Sequence, residues 1–149
     1  MGNSMFQSNA QELIVSDSII LINISQTGFL YEYKGMKEDQ LLFKRIDKTV
    51  NINYNIDCNF FIDKGEIYSL GGYGFWKSNG SLRKFNRLDN EWDIVPINKE
   101  VFNSYSWYSK TQNAVYSPFE REINAGVANQ IKGIVRPFVY KLSLRDKKW

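Results

Sequence analysis

Apolar residues along this chain fall in short runs separated by turn-forming residues, and no stretch keeps a helical spacing for long. Short runs rich in β-branched and aromatic side chains predict strands. Residues 12–15 predict a first strand, and Ser16-Asp17-Ser18 a turn. The run Ile19-Ile20-Leu21-Ile22-Asn23-Ile24 lacks polar alternation and predicts a strand covered on both faces. Gln26-Thr27-Gly28 makes the next turn, residues 29–33 the next strand, 34–40 a polar loop and 41–46 the last strand of a meander. Residues 1–10 are polar and read as a lead-in.

A second meander follows the same plan. Residues 59–62 predict a strand, Asp63-Lys64-Gly65 a turn, and 66–70 a strand that ends in Gly71-Gly72. A loop over 71–80 closes with Asn79-Gly80, a strong turn dipeptide. Residues 81–86 and 91–95 complete the unit around Leu88-Asp89-Asn90. A third unit starts near Tyr105, with strands at 106–108, 114–116 and 137–144. The polar connection over 117–136 predicts an excursion or binding loop, with a helical turn over 123–131.

Composition agrees with an all-β chain. The 149 residues carry 4 Trp, 9 Tyr and 10 Phe, and alanine is scarce, a balance that favours strands over helices. Hydrophobic residues at 43% and charged residues at 23% describe a chain able to bury a core. The net charge of +3 changes little, because Lys44, Arg45, Lys77, Arg83, Lys84, Arg87, Lys132 and Arg136 are scattered among acidic neighbours rather than gathered into the basic patch a nucleic-acid surface needs. No nucleic-acid partner is expected.

Two scarcities narrow the chemistry. The chain has no His, which removes Ser-His and Cys-His nucleophile pairs and His-based metal sites from these residues. Its one cysteine, Cys58, can form no intramolecular disulfide and sits beside Phe60, Phe61 and Ile62, so it reads as a small core residue. No secretory signal or membrane-spanning run is read in these residues, and a cytoplasmic location is expected if the sequence is complete.

The strongest signal is a self-match. Residues 138–149 align without gaps on 81–92, a period of 57 residues from Ser81 to Phe138. The alignment sets Leu142 on Phe85 and Trp149 on Trp92. A period near 50 residues points to a repeat array such as a propeller. The apolar run into Gly71-Gly72, the aromatic Phe85 and Trp92 seven residues later resemble a kelch repeat, whose units form four-stranded blades of a β-propeller. Unit three keeps Leu142 and Trp149 but has Ser117-Pro118 where glycines stand in that pattern; unit one keeps Tyr33, has Asn23 in place of a glycine and Phe43 near the Trp position. The resemblance therefore implies a divergent, galactose-oxidase-like propeller with blade units at 12–46, 59–95 and 105–149, the last one cut short. Closed propellers have typically four to eight blades. The expectation is thus a fragment of a longer polypeptide, with closure by oligomerisation or against a partner as alternatives.

Kelch-like propellers serve as protein-binding scaffolds through loops at one end of the blades, so the resemblance implies a non-catalytic interaction segment without a cofactor. Tyr73, Phe75 and Trp76 leave the glycine pair and either pack between blades or form an aromatic rim. Glu120, Arg121, Glu122 and Arg136 flank the long connection and join them as candidate contact residues. The partner would be another protein, with carbohydrate as an alternative if Tyr73, Trp76, Tyr105 and Trp107 line one rim, and with self-association through open blade edges a further possibility. Some kelch-type propellers act on sugars; a copper site is excluded here by the lack of His, and a carboxylate–arginine site would need the two glutamates and two arginines to converge.

Overall fold

The computed structural model describes residues 11–16, 19–24, 27–50, 58–74, 77–101, 114–131 and 134–149. Every element among them is a strand. The first sheet takes β1 (Gln11–Val15), β2 (Ile20–Ile24), β3 (Phe29–Lys37) and β4 (Gln40–Arg45) in chain order, all antiparallel. The second repeats the plan with β5 (Asn59–Asp63), β6 (Glu66–Gly74), β7 (Lys77–Asn86) and β8 (Glu91–Val95). The third holds β9 (Ala114–Ser117), β10 (Glu122–Ile131) and β11 (Ile134–Ser143). None of the three sheets closes on itself.

Turn chemistry fixes these registers. Glu38 and Asp39 both take positive φ (51° and 61°) between paired Lys37 and Gln40, as do Lys64 and Gly65 (51° and 79°) between Asp63 and Glu66. Two-residue turns of this mirror-image kind match the twist of the strands they join. A longer turn occurs three times. The amide of Asn90 donates to the carbonyl of Asn86 at 2.8 Å, that of Arg121 to Ser117 at 2.8 Å, and that of Lys147 to Ser143 at 2.8 Å. Asn90, Arg121 and Lys147 all have φ between 55° and 59°. Side chains close the loops as well: Asn86 Nδ2 reaches Asp89 at 2.9 Å and Ser143 Oγ reaches Asp146 at 2.9 Å. These two turns lie one 57-residue period apart, and Lys148 bridges Ser143 just as Glu91 pairs with Asn86.

The sheets stack, with the second in the middle. Alternation sends adjacent residues of β5 to opposite neighbours. Phe60, with Ile67, Phe85 and Cys58, packs on Ile14, Leu21 and Leu30 of the first sheet. Phe61, with Leu70 and Leu82, packs on Ile123, Ala125, Leu142 and Leu144 of the third. Trp92 and Trp149 take matching places, each on the face its sheet turns to the preceding one. The Trp92 indole N–H donates to the Gly28 carbonyl at 3.4 Å.

Several expectations need correction. The isoleucine-rich strand β2 is covered on one face only, its burial alternating around Leu21 and Asn23. Residues 34–40 form the arms of the β3–β4 hairpin rather than a loop. Gly71-Gly72 do not end their strand: β6 runs on to Gly74, and Asn79-Gly80 lie inside β7 rather than at a turn. The register shifts between Leu70 and Gly72, where Gly71 and Gly72 have φ of 72° and 125°. The glycines absorb a β-bulge, which lets the ladder continue past a local kink. The connection over 117–136 is a second long hairpin, with neither the excursion nor the helical turn at 123–131: β10 pairs with β11 from Glu122–Ser143 to Ile131–Ile134. The lead-in 1–10 and the strand read at 106–108 lie outside the described residues.

Candidate functional site

The residues singled out from the sequence separate into three groups. Phe85, Trp92, Leu142 and Trp149 are packing residues of the two cores, and Phe85 and Leu142 are almost wholly enclosed. Phe85 and Phe60 each meet Trp92 edge-on, at ring distances of 5.4 and 5.7 Å. Trp149 meets Tyr140 edge-on at 6.4 Å. Gly71 and Gly72 sit at the bulge, where the Gly71 carbonyl accepts from Arg83 at 2.6 Å.

The second group is the aromatic loop. Tyr73 lies in β6 opposite Ser78, and Phe75, Trp76, Tyr105 and Trp107 lie outside the described residues. The third group, the charged set, is dispersed. Glu120 is exposed at the β9–β10 turn. Glu122 turns to the outward face of the third sheet and pairs with Lys141 at 3.4 Å. Arg136 is placed in β11 opposite Asn129. Arg121 turns inward. A pocket in which Glu120, Arg121 and Glu122 converge is therefore not formed.

What Arg121 meets is a polar knot between the second and third sheets. Its guanidinium spans both oxygens of Asp63, Nε at 3.1 Å and an Nη at 2.6 Å. The Tyr116 hydroxyl donates to the same carboxylate at 2.7 Å. Asp63 is only 4% exposed. Burial works to raise its pKa, and the hydrogen bonds from Arg121 and Tyr116 outweigh that, holding the carboxyl below the usual carboxylate range. Burial also raises Tyr116, and its bond to Asp63 raises it further. The ring of Tyr116 stacks on Phe61 at 4.8 Å, and Phe61 on Tyr68 at 5.3 Å. Asp63 was legible only as a turn residue, since its partners lie 53 and 58 positions away.

A second knot ties the linker after β4. Asp47 accepts from the amides of Leu30 (2.7 Å) and Thr49 (2.9 Å) and from Arg45 at 3.1 and 2.9 Å. The Arg45 guanidinium lies 3.8 Å over the Phe29 ring, and its bond to Asp47 raises its pKa. The linker then reaches the second sheet, where the Lys48 amide donates to Asn90 at 2.9 Å. Between the second and third sheets, the Asn98 amide likewise donates to Lys147 at 3.3 Å, its acceptor 57 residues after Asn90.

One open depression of about 400 Å³ lies at the end of the first sheet, lined by Val15, Ile19, Ile20, Glu32, Tyr33 and Lys34. Its carboxylate is already engaged. Burial works to raise Glu32, but bonds from Lys34 and Arg87 bring it down overall, and Arg87 comes from the second sheet at 3.1 Å. Among the described residues, several large apolar side chains are exposed. Met36, Leu41 and Leu42 stand out from the β3–β4 hairpin, Leu88 from the β7–β8 turn and Phe119 from the β9–β10 turn. The β7–β8 turn lies against the Arg45 end of β4, through Lys48 on Asn90, while the β3–β4 turn closes the opposite end of that sheet. No protein-family model matches the chain, and no curated protein is significantly similar to it.

Proposed function

We propose that the chain is a kelch-like β-propeller segment that acts as a non-catalytic scaffold for binding another protein. The propeller reading draws support from three antiparallel meanders in chain order, stacked so that the middle sheet is covered on both faces. It draws more from how neighbours meet. The first strand of the second sheet touches the first strands of its neighbours, through β1 and through the Asp63–Tyr116 bond. The outermost strands instead meet end to turn, Lys48 on Asn90 and Asn98 on Lys147. Sheets that lie side by side at one edge and swing across each other at the far edge are strongly twisted, as blades are.

The observation that carries the binding role is the set of exposed apolar turn residues. Leu88 is 92% exposed and Phe119 99%, and neither contributes to either core. Single exposed apolar residues are ordinary on protein surfaces. Their placement on turns that join consecutive strands, outside both cores, fits loop-borne recognition on a rigid frame. The test is site-specific photo-crosslinking in the native cell, with a benzophenone side chain at 41, 88 or 119 and controls at exposed Asp93 and Lys99. The scaffold reading expects one recurring protein adduct from the turn positions and none from the controls. The same adducts from both sets, or none from the turns, would overturn it.

A further inference from the structure

We propose that the outward face of the first sheet is covered by the outward face of the third sheet of a second copy, giving a two-fold dimer of six sheets. The inference rests on the partial-propeller reading, and it concerns sheet faces rather than the turns. Its basis is the polarity of the stack. In the second and third sheets, the face that carries Trp92 or Trp149 always packs on the opposite kind of face of the sheet before it. Twice in the chain this arrangement holds, and like faces never meet.

The first sheet has the same two faces. Ile14, Leu21 and Leu30 point to the second sheet. Alternation puts Leu13, Val15, Ile20, Ile22, Tyr31 and Phe43 on the other side. That is the kind of face which the preceding sheet covers elsewhere, and none of the three described sheets covers it. Leu13 is 62% and Val15 64% exposed. At the far end, the third sheet shows the face that in the second sheet carries Phe61, Leu70 and Leu82. Matched through the paired registers, the positions of Phe61 and Leu82 are held there by Val115 and Val139, 68% and 71% exposed, with the Glu122–Lys141 pair beside them.

One copy therefore exposes both halves of a contact that it already makes twice internally. A second copy related by a two-fold axis satisfies both at once. Six sheets fall within the four to eight blades of closed propellers. Packing two first sheets face to face would instead bring like faces together and reverse the sense in which the sheets cross, which is set by strand twist.

The experiment measures the solution mass of the full chain and of Val15→Lys, Val139→Lys and Leu88→Lys by sedimentation velocity. All three substituted positions are exposed, so the fold is retained. The expected result is a dimer for the parent and for Leu88→Lys, monomers of half that mass for Val15→Lys and Val139→Lys, and dimers again when those two variants are mixed. In the mixture one interface has both native faces. A monomeric parent overturns the proposal, as does a Val139→Lys variant that stays dimeric, or a mixture that stays monomeric. None of these results touches the cross-linking expected from the turns, so the scaffold reading stands or falls separately.

Discussion

Replacing Tyr116 by Phe removes one hydroxyl and leaves the stack on Phe61 in place, so it isolates the bond to Asp63. That bond is 2.7 Å long and ends on a carboxylate only 4% exposed. A hydrogen bond to a charged group contributes about 1.5–3 kcal/mol, and the short donor distance puts this one in that range at neutral pH. The pH dependence has two limbs. Tyr116 is raised in the folded state, so its contribution is complete below the unfolded tyrosine value of about 10 and declines as pH climbs toward the folded one. One proton of linkage amounts to about 1.4 kcal/mol by pH 11. Asp63 is lowered, so its contribution is present above about pH 4 and fades as pH falls through its folded value. Urea denaturation of parent and variant across pH 3–11 reads both limbs. The parent should exceed Tyr116→Phe by about 1.5–3 kcal/mol at pH 7, with the gap narrowing by about 1.4 kcal/mol at pH 11 and also shrinking toward pH 3. A difference under about 0.5 kcal/mol at pH 7, or one flat in pH, would refute the role of the knot in holding the third sheet.

Phe85→Ala and Leu142→Ala remove equivalent residues of the two cores, and each should cost about 2–5 kcal/mol in urea denaturation, Phe85 toward the upper end. Gly65→Ala should cost about 1 kcal/mol from its φ of 79° alone, because an added Cβ meets nothing within 4 Å; an unchanged melting temperature would contradict this. Ser69 Oγ is buried without a hydrogen-bond partner among the described residues, so Ser69→Ala should be neutral or raise stability by up to about 1 kcal/mol, read by calorimetry.

Strands with local punctuation were legible in the sequence. Asp63-Lys64-Gly65 and Leu88-Asp89-Asn90 announced their turns because positive φ has a residue signature. The 57-residue match was legible too, and the turns at Asn86 and Ser143 show it in backbone form. What failed was non-local. Gly71-Gly72 and Asn79-Gly80 look like ends and turns, yet pairing across the hairpin carries both strands through them with one bulge. Ala125, Gly126 and Ala128 have weak strand preference, and only their ladder with Tyr140, Val139 and Pro137 makes β10 a strand. The charged candidates failed for the same reason. Nothing near Arg121 in the sequence reveals that its partner is Asp63, or that Glu122 beside it faces away.

The second sheet stands between two cores that share no residue, and Trp92 belongs to one while Trp149 belongs to the other. Each indole thus reports on a different opening event. Local unfolding proceeds in cooperative units with free energies of their own. If the third sheet detaches first, a variant that keeps only Trp149 changes its emission before one that keeps only Trp92, and the order in which this array comes apart can be followed with two of the chain's own chromophores.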